Sequence, residues 1–408
     1  MANNFTADFI EVWSRVQQEQ LFTKTVAAAI TDVSMKSDMS LGDTFNKPYR
    51  STTSIQSYTR GSSITIDDRT DTNEQLVINS QFASGFYVDD FDVIQSRYDL
   101  VANYAKDDAD RLNIQIDADV LSQVSAAASI VDDGSIGGTS GNGISLSTSN
   151  VLSTFAAARQ AMAKQNVMMD NLFAVISPEV ESVMVQYGAG RDTSLADGTQ
   201  NNGFLGRFYG FDLYVSNNLT GSAVLYMATN PTNTDTVTID GIVFTAVTTI
   251  GTTAGNFLIA GTVDLTRANL EGLINSPTTT SANQVALSTA NARKVTKGWS
   301  AVNSNTADTL TVTVKGVGRL VVSETLTAAA DIWTAATQLQ LNLMGRKEAI
   351  SLVIQSNAAP KIKQVETKLG VNVLNGILYG IKTFNKGTKE LVNVKVRSDV
   401  FTAGATNF

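Results

Sequence analysis

No histidine and no cysteine occur among the 408 residues, so the side chains able to do chemistry are carboxylates, lysines, tyrosines and serines. Such a set has no imidazole base, no Ser-His-Asp or Cys-His nucleophile, and no thiolate for a zinc or iron–sulfur site. The carboxylates cluster twice, at Asp89-Asp90-Phe91-Asp92 and at Asp107-Asp108-Ala109-Asp110. Clustered carboxylates suit hard cations such as Mg²⁺ or Ca²⁺. Neither cluster has the Ca²⁺-loop spacing with its glycine and closing Glu, and the second lies in a helical pattern where adjacent side chains diverge. A solvated or inter-subunit acidic face accounts for both more simply than a metal site. A phosphate-cradling loop needs Gly-Lys-Ser or Gly-Lys-Thr, and the dipeptide Gly-Lys is absent. The glycine pairs Gly188-Ala189-Gly190 and Gly316-Val317-Gly318 read as loop or turn. The expectation is no catalytic residue, no metal and no cofactor.

The apolar spacing sets out the elements that carry these side chains. Over residues 5–29, Phe9, Val12, Trp13, Val16, Phe22 and Val26 recur at roughly helical spacing, and 34–50 loses the period. So few apolar groups build no core of their own, so this segment reads as an arm. Residues 51–88 read as a long polar hairpin. In it Ile64 and Ile66 alternate toward a turn at Asp67-Asp68, and Leu76 and Ile78 return on one face. Residues 94–128 keep i, i+3/i+4 spacing through Ile94, Val101, Leu112, Ile116 and Val124 without Gly or Pro. That predicts one helix of about 50 Å, at 1.5 Å per residue.

After a Gly/Ser/Thr-rich linker over 132–149, Asn150 is expected to cap a helix from Val151. A buried strand follows over 172–176, and Pro178 opens a helix over 179–186. A polar loop over 188–202 precedes a strand and turn ending at Ser216-Asn217-Asn218. From about 230 to 342 Thr and Ala dominate in a self-contained α+β pattern. Strands over 236–239 and 242–247 flank Asp240-Gly241, a type I′ hairpin signal. Thr266 is expected to cap a helix carrying Leu270, Leu273 and Ile274. Strands over 310–314 and 319–322 surround Lys315-Gly316-Val317-Gly318. This segment reads as an inserted domain. Strands over 349–354, 374–384 and 391–396 close the chain.

Charge is unevenly spread. The 30 Lys+Arg and 38 Asp+Glu give a net −8, which argues against a protein that wraps nucleic acid. Residues 67–119 hold 13 Asp/Glu against 4 Lys/Arg, a local net of −9, and residues 346–397 hold 10 Lys/Arg against 3 Asp/Glu, a local net of +7. These stretches are either solvated faces that happen to differ or complementary contacts between copies of the chain, which would set register more than affinity. No apolar run approaches the roughly 20 residues of a membrane span.

The order arm, hairpin, long helix, α/β segment and closing β segment resembles the major capsid proteins of tailed bacteriophages, the Hong Kong 97 fold. Ser84-Gly85-Phe86-Tyr87-Val88-Asp89-Asp90-Phe91-Asp92 resembles the entry to that family's spine helix. The run from Gly206-Arg207-Phe208-Tyr209-Gly210-Phe211 to Ser216-Asn217-Asn218 resembles a stretch of its axial domain. Arg346-Lys347-Glu348-Ala349-Ile350 and Leu378-Tyr379-Gly380-Ile381-Lys382 are similar to its late strands.

The resemblance implies an α+β fold with an N-terminal arm (1–50) and an E-loop (51–85). It implies a peripheral domain with the spine helix (86–135 and 376–408), an axial domain (136–229 and 344–375), and a β-rich insertion domain (230–343). It implies a coat protein that self-assembles as hexamers and pentamers into an icosahedral shell around double-stranded DNA, without sequence-specific DNA contact. It further implies assembly in the host bacterial cytoplasm and residence in the virion capsid. Implied partners are a portal, a decoration protein and, since there is no room before the E-loop for a scaffolding segment, a separate scaffolding protein. The inter-subunit contacts expected are Arg50, Arg60, Arg69, Asp67, Asp68, Asp89, Asp90, Asp92, Lys382 and Lys386. The rival readings are an encapsulin-like nanocompartment shell, a carboxylate-based hydrolase and a surface adhesin; the insertion and the long arm favour the virus. Some members of the family cross-link their shells through an E-loop Lys, whereas here no Lys lies between Lys47 and Lys106. Denaturing electrophoresis of assembled material is therefore expected to show monomer, and an isopeptide-linked ladder would overturn that expectation.

Overall fold

The computed structural model describes residues 22–37, 42–96, 99–189, 206–356, 360–365 and 367–398. Most of the expected arm helix and of the 188–202 loop lies outside them. The chain divides into two compact units. One holds residues 79–113 and 354–379, and the other holds 23–78, 114–353 and 380–398.

In the larger unit the fully buried strand Leu172–Ile176 organises a nine-stranded sheet. It pairs in parallel with Phe211–Val215 and antiparallel with Leu339–Arg346. Leu339–Arg346 carries Leu391–Arg397 on its other edge. Helix Val151–Lys164 turns Val151, Phe155, Ala158 and Met162 onto this sheet, the spacing of one helix face. Phe155 meets Phe208 and Phe211 edge-on. The sheet continues through Thr220–Tyr226, Thr309–Val314 and Trp299–Ser304, so two strands from the 230–343 segment extend it. The same segment has a second sheet of Asn256–Leu258, Ile242–Val247, Thr236–Ile239 and Val322–Glu324, and a core centred on Phe244, Phe257, Leu270 and Leu310. Asp240 and Gly241 take φ of 45° and 77°, the expected type I′ turn.

Several local expectations are corrected. The helix expected over 94–128 is two helices, Asp90–Gln95 and Leu100–Leu121, followed by a 3₁₀ turn at Ser122–Ala126. The break follows from capping: Ser96 is extended, and Asp99 starts the second helix by accepting from the Ala102 N–H. The hairpin turn is not at Asp67-Asp68. Its stem pairs Thr44–Tyr49, residues read as arm, with Thr72–Val77. Its tip lies at 59–62, where the Ser62 N–H donates to the Thr59 carbonyl and Gly61 has φ of 88°. Asn150 does not cap its helix; its side chain accepts from the Ser147 N–H and donates to the Ser145 carbonyl. Thr262, not Thr266, caps Val263–Asn275, and Thr266 is buried inside it. The strand expected over 319–322 is Val322–Glu324.

In the smaller unit, Ser80–Asp89 pairs with residues 370–379 over ten positions, from Gly370↔Asp89 to Tyr379↔Ser80, and Lys361–Gln364 adds an edge.

The fully buried Arg267 fastens the inserted core. Its guanidinium donates to the Met227 carbonyl, to Asp264, to Asp308 at 3.2 Å and to Asn303 at 3.0 Å. Replacing it strands a buried carbonyl and two carboxylates. Arg267→Met is expected to destabilise the protein by about 1–3 kcal/mol in chemical denaturation, and a variant as stable as wild type would refute this role.

Candidate assembly interface

The surface that can hold another molecule begins with the hairpin. Its stem is anchored: Leu76 and Ile78 are buried, Lys47 lies over the Phe384 ring at 4.9 Å, and Glu74 accepts from the Asn385 N–H at 3.0 Å. Beyond the stem no strand forms. Opposed segments are tied by side chains instead: Ser51 N–H to Asp71 at 3.1 Å, Ser54 N–H to Asp67 at 2.8 Å, and a two-way bridge between Gln56 and Thr65. The Ser54 side-chain and backbone hydrogen bonds hold the Asp67 carboxyl below its ordinary pKa, so it stays charged as a brace. The tip buries nothing. Ile55 is 101% exposed, Ile66 91%, and Tyr58 and Ile64 63% each. Arg50, Arg60, Arg69 and Asp68 are exposed on the same hairpin.

In the smaller unit the acidic run is an element terminus. Asp89 caps helix Asp90–Gln95 by accepting from the Phe91 N–H, and it accepts the Tyr87 hydroxyl at 3.1 Å. Asp90 and Asp92 lie in the first turn, where the helix dipole favours them. Asp89 is thus largely committed within its own chain, while Asp90 and Asp92 are exposed. Among the described residues no group of three or more carboxylates could hold a metal ion.

The basic stretch is partly spent inside the larger unit. Arg346 reaches Asp170 at 3.0 Å and Glu390 at 3.5 Å, and Lys347 reaches Asp212 at 2.8 Å. The hydrogen bond to Arg346 pulls the Asp170 pKa down, and the one to Asp212 pushes Lys347 up. Lys386 pairs with Glu390 at 3.6 Å, and Lys382 is exposed at the end of its strand.

Sequence reasoning missed Asp117. It is fully buried, and its Oδ1 accepts the N–H groups of Val26 at 2.7 Å and Ala27 at 2.8 Å. Its Oδ2 accepts from Asn218 at 3.0 Å, whose amide also donates to the Ile114 carbonyl at 2.8 Å. Asn218 closes the Ser216-Asn217-Asn218 run. Gly316 and Gly318, with φ of 71° and 61°, let the next loop approach it: a Cβ on either would lie within 2.8 Å of the Asn218 side chain or the Asn217 carbonyl. The available signal was a carboxylate inside an apolar helical stripe.

The overall architecture is shared with known structures. A structure from Mycobacterium phage Che8 matches with a TM-score of 0.58 at 15% identity, covering 96% of this chain and 98% of that one. The capsid structure of cyanophage P-SCSP1u matches at 0.56 and 11% identity, covering 97% and 95%. The asymmetric unit of the bacteriophage PhiM1 mature capsid matches at 0.52 and 9%, covering 96% and 92%. No curated protein matches the sequence. Residues 74–245 match the family model described as phage capsid protein.

The fold is the α+β Hong Kong 97-like capsid fold. No described helix is long and apolar enough to cross a membrane.

Burial pushes the Asp117 carboxyl above its ordinary pKa, against its three hydrogen bonds. A raised pKa means the folded protein favours the protonated acid. The group's contribution to stability is therefore full below the ordinary aspartate pKa of about 3.9 and is lost as pH rises through the raised value. Asn at this position does not titrate. The melting temperature of unassembled wild type minus that of Asp117→Asn should rise as pH is lowered through this window. A difference independent of pH would refute the assignment.

Proposed function

We propose that this chain is a phage major capsid protein and that its copies join through the hairpin. One observation carries the reading: the tip exposes Ile55, Tyr58, Ile64 and Ile66 with nothing among the described residues to cover them. Large exposed apolar groups on an ordered projection mark a contact surface. On this reading the hairpin is the E-loop of 51–85, which lies over a neighbour together with the arm of 1–50. The peripheral (86–135, 376–408), axial (136–229, 344–375) and insertion (230–343) domains tile the shell as hexamers and pentamers. The exposed charges Arg50, Arg60, Arg69, Asp68, Asp90, Asp92 and Lys382 steer approach and register, as rim charges do, more than they add affinity. Asp67, Asp89 and Lys386 contribute less, because their own chain already engages them.

The shell encloses double-stranded phage DNA without reading its sequence, and the net −8 keeps its wall from gripping the genome. Assembly takes place in the host bacterial cytoplasm with a separate scaffolding protein and a portal, and a decoration protein is a further partner. The work of the chain is repeated contact with itself, with no catalysis. Arg60→Glu combined with Arg69→Glu is expected to give folded, soluble protein, by circular dichroism, that forms no shells in negative-stain electron microscopy. Normal shells from the double variant would sink this reading.

A further inference from the structure

Strand Trp299–Ser304 ends the nine-stranded sheet: it pairs with Thr309–Val314 on one side, and among the described residues no strand lies on the other. In an antiparallel pair alternate residues turn their N–H and C=O groups outward, so such an edge is a template for a further strand. Two other edge strands carry guards against that. Thr44–Tyr49 has Lys47 and Pro48, and Lys361–Gln364 has Lys361 and Lys363. Trp299–Ser304 has six residues with neither a charge nor a proline, and Val302 stands 62% exposed on it.

The outward groups at the middle of this edge are met by a side chain. The Ala301 N–H donates to the Asn275 side-chain carbonyl at 2.9 Å, and the Asn275 amide donates back to the Ala301 carbonyl at 2.9 Å. Asn275 is the last residue of helix Val263–Asn275 and is itself exposed, so its side chain fills no core. A primary amide offers the C=O and N–H of a peptide unit, so one side chain reproduces the two bonds a neighbouring strand would make. Two residues along the strand, Asn303 is tied to the same helix. It accepts from Arg267 at 3.0 Å and donates to the Asp264 carbonyl at 3.5 Å.

We propose that Asn275 guards this edge, closing a strand-addition site whose fitting partner is the same edge of a second copy. Two identical edges without charges can pair antiparallel with no like charges brought opposite one another. Identical chains crowded together meet this edge repeatedly, and the guard reserves their association for other surfaces. The inference goes beyond the hairpin contact and does not depend on it.

The test compares wild type with Asn275→Ala and the near-isosteric Asn275→Asp, each checked for folding by circular dichroism. Sedimentation velocity is run over concentrations at which the wild-type coefficient is constant. Asn275→Ala opens both bonds. Asn275→Asp keeps the acceptor but loses the donor to the Ala301 carbonyl, and it decides the matter if the alanine variant does not fold. The variants are expected to show a coefficient that climbs with concentration. Amide hydrogen exchange over residues 299–304 should be slower in the associated sample than in the dilute one, because the opened edge has found a strand. Adding Val302→Lys, which places a charge at an exposed site of the edge, should restore wild-type sedimentation. Association caused by lost stability alone would survive that addition. Unchanged sedimentation of the folded variants, association without slower exchange at 299–304, or association that persists with Val302→Lys each overturns the guard.

Discussion

A buried carboxylate with no cation against it is the constraint on which the larger unit depends. Asp117 is held by two backbone N–H groups and one amide, all uncharged donors. An ionised carboxylate out of water is costly unless its lone pairs are met, and the donors here come from two distant parts of the chain. The N–H groups come from the residues that lead into the short helix Ala27–Ile30, and the amide comes from the turn after strand Phe211–Val215. Taking away any one of them leaves a desolvated charge, so the three segments are fixed together or not at all. Two residues on, Asp119 takes Lys315 from the glycine loop at 2.9 Å, which ties a fourth segment to the same helical turn.

Fixing the base in this way leaves the hairpin as a projection. Its stem has a ladder, two buried side chains and a cation over an aromatic ring, whereas its distal half has only local polar bridges and bare apolar groups. A two-stranded ribbon is marginal in water without a surface to lie on. The bridges from Asp67 and Asp71 hold the shape open to a partner instead of letting the tip collapse on its own apolar residues. Order without burial is what the proposed contact with another copy requires.

How much of this was legible in the sequence varies with the range of the interaction. The strand over 172–176, the Asp240-Gly241 turn and the buried pair Leu76 and Ile78 follow from local pattern, and the structure has them where expected. The helix break near residue 96 was equally local, but the apolar period runs through it and masks the capping signal of Asp99. The hairpin tip was misplaced because Asp67-Asp68 looks like a turn, whereas Asp67 is a brace across the hairpin, 13 residues from its partner Ser54. Asp117 and Asn218 lie 101 residues apart, and no spacing rule reaches that far. The resemblance found the Ser216-Asn217-Asn218 run as a pattern; only the structure says what its last residue does.

Charge counting along the chain shows the same limit. The stretches of −9 and +7 are properties of sequence windows, and a window cannot tell which charges are already matched. Arg346 and Lys347 find Asp170 and Asp212, acids outside both windows, so the positive excess open to another copy is smaller than the count. The negative window is reduced too, since Asp117 is buried, Asp119 is paired and Asp89 is a cap. What survives on the surface includes Arg60, Asp68 and Arg69 on the hairpin, Asp90 and Asp92 on the short helix, and Lys361, Lys363 and Lys382 on late strands. Sparse exposed charges are screened within roughly 10 Å at ordinary salt. On the proposed reading they bias which faces meet, and the energy of contact comes from apolar groups such as those the tip leaves bare.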